Sequence, residues 1–294
     1  MNIVRISDGL GNQMFQYAFA RKLQIMTGKK VCLDIRFINN EDMFSVGANQ
    51  NVKGKLGYRT YGLEHFKIRL SRTDEHTLSK WNYLKQNNIY NKFVFCLAKE
   101  KRWFWNWVNE EVNFPKDMDE LVRLKCPAYF QGYFFDLKYF DDIKPVLQRE
   151  FCLKQPIRLS AELQRIMKKE NTVSVHIRRG DFLKLNRDIS QSNYYIKAID
   201  LINNQVFKPF YLVFSDDIEW VKNNVKFQGE VVYVSDMGYE DYEEICIMKH
   251  CKHNIIANST FSYWAAYLNA NPDKIVICPK RWKTAIIPKT WISL

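Results

Sequence analysis

Apolar positions follow two kinds of pattern along this chain, helical spacing in places and short continuous runs in others. Residues 2–7, with Ile3, Val4 and Ile6, read as a strand, and Asp8-Gly9-Leu10-Gly11-Asn12-Gln13 follows it as a glycine turn. Met14, Phe15, Ala18, Phe19 and Leu23 then recur on one face of a helix, Gly28 supplies its stop, and residues 30–34 read as the next strand. The stretch 41–125, with the aromatic cluster Trp103-Phe104-Trp105-Asn106-Trp107, predicts helices and long connections. Residues 127–140 are rich in aromatics around Gly132, and 151–156 read as a linker. Beyond it, apolar strands at 172–177, 209–214, 231–234, 254–257 and 274–278 alternate with helical patterns at 193–203, 217–224, 239–250 and 261–268. Strands that are apolar throughout and separated by helices belong to a parallel sheet covered on both faces. The expectation is an α/β fold of two Rossmann-like domains facing a cleft, residues 1–153 and 154–294.

Composition narrows the class. A chain of 294 residues with 47% hydrophobic residues can fill two cores. Its 44 Lys and Arg against 32 Asp and Glu leave a formal charge of +12, which attracts a nucleotide, a nucleic acid or an anionic membrane surface. The basic residues are dispersed rather than striped, which speaks against a nucleic-acid partner. No apolar stretch approaches the ~20 residues of a membrane span, and the run at Met1 to Ile6 is short for a signal peptide. Seven scattered cysteines, an odd number, read as reduced thiols of a cytoplasmic protein. Cys246, Cys251 and His253 lack a C-x-x-C companion, and the acids Asp117 and Asp119 open a polar helix whose dipole favours them anyway. Neither a metal nor a cofactor is expected.

Ligands of an open parallel sheet bind beyond the carboxyl ends of its strands. In the second half those ends carry His176, Arg178, Arg179 and Asp181; then Ser215, Asp216 and Asp217; then Ser235 and Asp236; then Asn258, Ser259 and Thr260 leading into a helix. Arginine pairs with phosphate through parallel charge-assisted bonds, and a helix N-terminus offers free N–H groups to the same anion. Carboxylates accept from guanine or from ribose hydroxyls. A fixed arginine at the leaving diphosphate stabilises its developing charge without a metal. The alternating position of His176 leaves open whether it faces the ligand or the core. Gly9 and Gly11 after a strand, with Asp34 ending the next, also allow an NAD(P)-dependent oxidoreductase; Met14 in place of a third glycine weighs against it.

Four segments carry a family resemblance: Gly9 to Gln16, His176 to Asp181, Phe214 to Asp217, and Ala257 to Ala266. Together they resemble the bacterial α-1,2-fucosyltransferases of glycosyltransferase family 11, over essentially the whole chain. The resemblance implies a GT-B fold, with the donor on the C-terminal domain and the acceptor mainly on the N-terminal one. It implies inverting, metal-independent transfer of L-fucose from GDP-β-L-fucose to the 2-hydroxyl of a terminal galactose, in surface polysaccharide or lipopolysaccharide assembly; another linkage is the alternative. Arg178 would hold the β-phosphate, with Arg179 and Asp181 shaping the motif and His176 and Asp181 as local candidates for a base. Asp216, flanked by Ser215 and Asp217, would contact guanosine. Ser259, Thr260 and Phe261 would lie by the diphosphate and fucose, with Asn258 before them. Asn12 would reach toward donor or acceptor from the turn that includes Gly9, Gly11 and Gln13. Phe135-Asp136-Leu137 departs from the family, where more polar residues are usual, and Tyr263 stands where tryptophan is common. A lipid-linked acceptor and loose contact with the inner face of an anionic membrane would use the positive charge.

Overall fold

Two parallel sheets carry the chain. The structure is a computed structural model and describes residues 1–38, 60–79, 107–111, 114–115, 117–124, 126–280 and 282–294. Most of the 41–125 stretch, including Trp103 to Asn106, lies outside them. The chain divides into a first unit, Met1–Glu150, and a second, Phe151–Leu294.

The first unit holds strands β1 (Asn2–Ser7), β2 (Val31–Phe37), β3 (Trp107–Asn109) and β4 (Tyr129–Gln131), all parallel, in the order β2-β1-β4-β3. Its described α-helices are α1 (Leu10–Thr27), α2 (Glu75–Ser79), α3 (Asp119–Val122) and α4 (Lys144–Glu150). α1 ends at Gly28, whose φ of 63° lies in the left-handed region and lets its N–H reach the Gln24 carbonyl. The helical stripe Met14, Phe15, Ala18, Phe19 and Leu23 is wholly buried. Phe19 stacks on Phe134 with ring centres 3.7 Å apart, and Phe15 meets Phe135 and Phe140 edge to face. Each such ring removed from water contributes about 2–3 kcal/mol. The α4 carboxylate of Glu150 is buried but paired, taking Arg21 Nε at 2.9 Å and the Tyr17 hydroxyl. Asp117 accepts from the Asp119 backbone N–H at 3.0 Å, an ordinary turn before α3.

The second unit holds α5 (Ala161–Ile166), β5 (Thr172–Ile177), α6 (Gly180–Lys184), α7 (Tyr194–Gln205), β6 (Phe210–Ser215), α8 (Ile218–Asn224), β7 (Glu230–Tyr233), α9 (Asp241–His250), β8 (His253–Ile255), α10 (Thr260–Leu268), β9 (Val276–Cys278) and β10 (Ile292–Ser293). Its six strands are parallel in the order β10-β9-β8-β5-β6-β7. β5 and β6 are buried at every position, which is why they read as unbroken apolar runs. Tertiary contacts move some ends. α9 begins at Asp241 because Glu240 forms a capping box with Glu243. β9 starts late because Lys274 is drawn to the carbonyls of Ala266 and Asn269 at the end of α10, both at 2.7 Å. β10 is too short to show a pattern of its own.

The strand orders place one reversal in each sheet. In the second unit the chain steps from β5 outward to β6 and β7, then returns to the other side of β5 with β8. In the first it steps from β1 to β2 and later returns to the far side of β1 with β4. The crevices at the carboxyl ends of β5 and β8, and of β1 and β4, are the places where such sheets take ligands.

Gln13 shows how the glycine turn before α1 is held. Its amide donates to the carbonyls of Asp8 and Thr60, both at 2.8 Å, and accepts from Gly62 N at 3.1 Å, with the side chain fully buried. Gln13→Ala strands several buried backbone groups, so urea denaturation should show a loss of about 1–3 kcal/mol. An unchanged midpoint would mean that the turn is held by other contacts.

Candidate active site

The two arginines after β5 have different surroundings. The Arg178 guanidinium donates from Nε and Nη2 to Asp181 Oδ1 at 3.0 and 2.8 Å, and from Nη1 to Asp216 Oδ2 at 3.0 Å. Three of its five N–H groups are thereby used, and the side chain stays 25% exposed at the sheet edge. Arg179 turns inward. Its Nε donates to Asp217 Oδ2 at 3.0 Å, its Nη1 to Ser190 Oγ at 2.5 Å and toward Asp188 at 3.4 Å, and it lies 3.7 Å over the Trp220 ring. Only 6% of Arg179 is exposed, so it ties the β5 loop to α8 and holds Arg178 outward.

Asp216 joins both halves of this arrangement. Its Oδ1 accepts from the Arg179 backbone N–H at 2.8 Å while its Oδ2 pairs with Arg178. Gly180 makes the approach possible, since a Cβ there would stand 2.5 Å from Asp216 Oδ2. Asp217 caps α8 by accepting from Trp220 N at 3.4 Å, and the Ser215 hydroxyl accepts from Asp217 N at 3.1 Å. Asp216 thus has a structural task beside the guanosine contact expected of it, and Ser215 and Asp217 hold the same turn.

His176 is 4% exposed and faces inward, its Nδ1 bonded to Ser262 Oγ at 2.9 Å and its ring beside Phe261. Burial, helped by Arg178, pushes it down to about 3, so the imidazole is neutral near pH 7 and a weak proton acceptor. Ser259 caps α10 by accepting from Phe261 N at 3.3 Å. Asn258 donates to the Arg187 carbonyl at 2.8 Å, while its buried Oδ1 accepts no bond among the described residues. The β5/β8 reversal therefore gathers Arg178, Asp181, Asp216 and the start of α10 on one edge. Gly9, Gly11 and Asn12 belong to the first unit, where Gly9 precedes α1 in extended conformation and Asn12 is half-buried in its first turn. Gln13, grouped with them as a candidate site residue, is fully buried with its amide bonded to backbone groups as described above.

Several neighbours of the candidate site escape a reading of strand ends. Asp188 and Ser190 sit in an aperiodic loop, and Trp220 reads as an ordinary helix position. Glu244 is a buried carboxyl pushed up to about 7 by desolvation, bonded to Ser235 Oγ at 2.7 Å, and Ser235 Oγ in turn accepts from Ser215 N at 3.1 Å. Among the described residues no group of three or more His, Cys, Asp or Glu is placed to hold a metal, and no helix is long and apolar enough to cross a membrane. The oxidoreductase alternative fails on its acid: Asp34 is fully buried, bound by Arg36 and the Tyr129 hydroxyl, both at 2.8 Å.

An α/β protein whose polar groups gather at a sheet reversal around an arginine and a helix N-terminus belongs to a broad class of anion-binding enzymes. Comparison with known proteins narrows that class: residues 1–290 match glycosyl transferase family 11, and the chain belongs to that family. It is a glycosyltransferase. It is 28% identical to the O-antigen biosynthesis glycosyltransferase WbnK of Escherichia coli over 98% of this chain and 99% of that one. It is 31% identical to an Escherichia coli alpha-1,2-colitosyltransferase over 95% of this chain and 91% of the relative. It is 28% identical to Homo sapiens galactoside alpha-(1,2)-fucosyltransferase 1 over 55% of this chain, a match spanning 47% of the human protein. A crystal structure of POFUT1 in complex with GDP-fucose resembles the fold loosely, with TM-score 0.49 and 11% identity over 93% of this chain and 96% of that one.

His176 and Glu244 give the fold opposite responses to acid. The unfolded histidine binds a proton below its ordinary 6.5 that the native one refuses until about 3, so stability is lost on acidification through that window. Glu244 binds its proton in the native state from about 7 but in the unfolded state only near 4.5, so it adds stability over the same acidification. Glu244→Gln should therefore be more stable than the parent near pH 8, by about 1–3 kcal/mol, and should lose stability more steeply toward about pH 5. Urea denaturation across that range decides; a pH-independent difference would contradict it.

Proposed function

We propose that the protein transfers L-fucose from GDP-β-L-fucose to the 2-hydroxyl of a galactose residue, with inversion at C1 and without a metal ion. The observation that carries this reading is Arg178, held on edge by Asp181 and Asp216 at the β5/β8 reversal. Two of its N–H groups have no partner among the described residues. Family membership and the α-1,2 linkage named for two relatives support the reaction class. The donor belongs on the second unit and the acceptor on the first.

In this reading the acceptor oxygen forms a bond to C1 as the C1–O bond to the β-phosphate breaks on the opposite side; the bonding electron pair leaves with GDP, and the proton of the acceptor hydroxyl passes to solvent water. Arg178 meets the charge that appears on the β-phosphate, and the α10 N-terminus at Ser259, Thr260 and Phe261 meets the rest of the diphosphate. Two carboxylates fix the guanidinium in place, so little reorganisation is needed as that charge develops. Arg179 is a positioning residue, and His176, neutral and buried, supports the strand end from behind. The O-antigen role named for one relative supports a place in surface polysaccharide assembly.

A second donor is favoured by the colitosyltransferase relative. Colitose is L-fucose lacking the 3-hydroxyl, so both sugars would present the same C1 chemistry to Arg178. With the two GDP-sugars in competition, kcat/KM should favour fucose by about tenfold or more; the reverse ratio would assign colitose.

Arg178→Ala should lower kcat by about a thousandfold while circular dichroism stays native. Near-normal turnover would remove Arg178 from the mechanism. Gly180→Ala forces Asp216 aside and should cost about tenfold in kcat/KM at near-parental stability, since the atoms in the way belong to the Asp216 side chain and not to backbone. Activity should survive EDTA undiminished; loss restored by manganese would show a metal-dependent enzyme.

A further inference from the structure

The sheet reversal of the first unit carries a polar and aromatic pair that the donor chemistry leaves unused. β1 ends at Ser7, and Asp8 follows at φ 65°, a conformation that costs a non-glycine residue on the order of 1 kcal/mol. Gln13 holds it there through the Asp8 carbonyl at 2.8 Å. The conformation turns the carboxylate outward. Its Oδ2 accepts from the Tyr133 hydroxyl at 2.7 Å and from Ser7 Oγ at 3.3 Å, while Oδ1 has no partner among the described residues.

On the neighbouring strand, Gly132 follows β4, and a Cβ there would meet Glu110 Cβ at 2.5 Å. That closeness lets Glu110 Oε2 accept from the backbone N–H groups of Tyr133 and Phe134, at 2.8 and 2.6 Å. Phe134, at φ 57°, drops into the core onto Phe19, and its neighbours point the other way. Tyr133 and Phe135 stack with ring planes 1° apart, centres 5.1 Å apart, and Phe15 backs Phe135 edge to face. Tyr133 remains 39% exposed. Burial and the Asp8 carboxylate push its phenol upward, so it stays a proton donor to Oδ2 and leaves Oδ1 for a ligand.

We propose that this crevice at the β1/β4 reversal is a β-galactoside site, in which the Tyr133 ring packs on the sugar and Asp8 Oδ1 accepts from one of its hydroxyls. It rests on the reading of the acceptor as a galactoside. The axial 4-hydroxyl of galactose leaves the C–H groups at C3, C4 and C5 together on one face, an apolar patch that matches an aromatic ring. A carboxylate oxygen at the ring's rim is placed to take a hydroxyl from the patch's edge. In glucose the 4-hydroxyl is equatorial, and that apolar patch is less continuous.

Saturation-transfer NMR on the full chain with methyl β-D-galactopyranoside tests the site, with methyl β-D-glucopyranoside alongside. Transfer should fall on H3, H4 and H5 of the galactoside and be weaker for the glucoside. It should drop about tenfold in Tyr133→Ala, drop severalfold in Asp8→Asn, and largely persist in Tyr133→Phe, which keeps the ring. Equal transfer to parent and Tyr133→Ala, or no transfer to the parent, would overturn the site. If Tyr133→Ala does not melt as a native protein, the comparison of parent, Tyr133→Phe and Asp8→Asn decides instead, and equal transfer to all three overturns the proposal. The melting shift produced by GDP in the same samples keeps the two readings apart. A GDP shift without galactoside contact rejects this site alone, and no GDP shift rejects the donor reading.

Discussion

Asp216 is a single carboxylate with two obligations, and the second unit's candidate site is organised around it. One oxygen fastens the backbone after β5 and the other orients Arg178, so β6 determines what β5 presents at the sheet edge. The arrangement tolerates no side chain at position 180 without displacement. It also explains why two adjacent arginines behave differently: once the Arg179 N–H is tied to Asp216, its side chain turns toward Asp217, Ser190 and Trp220. Charge-assisted bonds of this kind are strong where water is scarce, and the buried Arg179 would be left without a charge partner if Asp217 and Asp188 were absent.

The two units solve the same problem with different chemistry. Each is a parallel sheet whose order reverses beside its first strand, and each brings a turn with demanding backbone geometry to that reversal. In the second unit the turn carries guanidinium groups and carboxylates, the set proposed to meet an anionic diphosphate. In the first it carries a carboxylate and stacked aromatic rings, the set proposed to meet a neutral sugar. A parallel sheet brings the carboxyl ends of its strands and the N-termini of the following helices to one edge, so the edge supplies the placement while the turn residues supply the specificity.

The central strands of the second unit were legible because they are buried on both faces; a strand such as Thr172–Ile177, with no exposed position, leaves an uninterrupted apolar run. Its strand ends could therefore be located, and with them Arg178, Asp181, Asp216 and Ser259. The roles of neighbours were not legible. Nothing in adjacent Arg178 and Arg179 says which one turns inward; that depends on Asp188, Ser190 and Trp220, brought near by folding. His176 alternates with buried neighbours whether or not it faces a ligand, and only the position of Ser262 on α10 shows that it faces inward.

The glycine turn before α1 makes the division plain. By itself the sequence determined that a strand, a turn and an amphipathic helix follow one another there, because backbone freedom and apolar spacing are local properties. Tertiary structure decided that Gln13 is a buried brace and that Asp34 is consumed by Arg36 and Tyr129, since hydrogen-bond satisfaction depends on groups distant in sequence. It also decided that Asp8 and Tyr133 stand side by side, because β4 returns to β1 only through the sheet. Which residue types cluster was readable from the chain; which of their atoms remain available for a ligand was settled by packing.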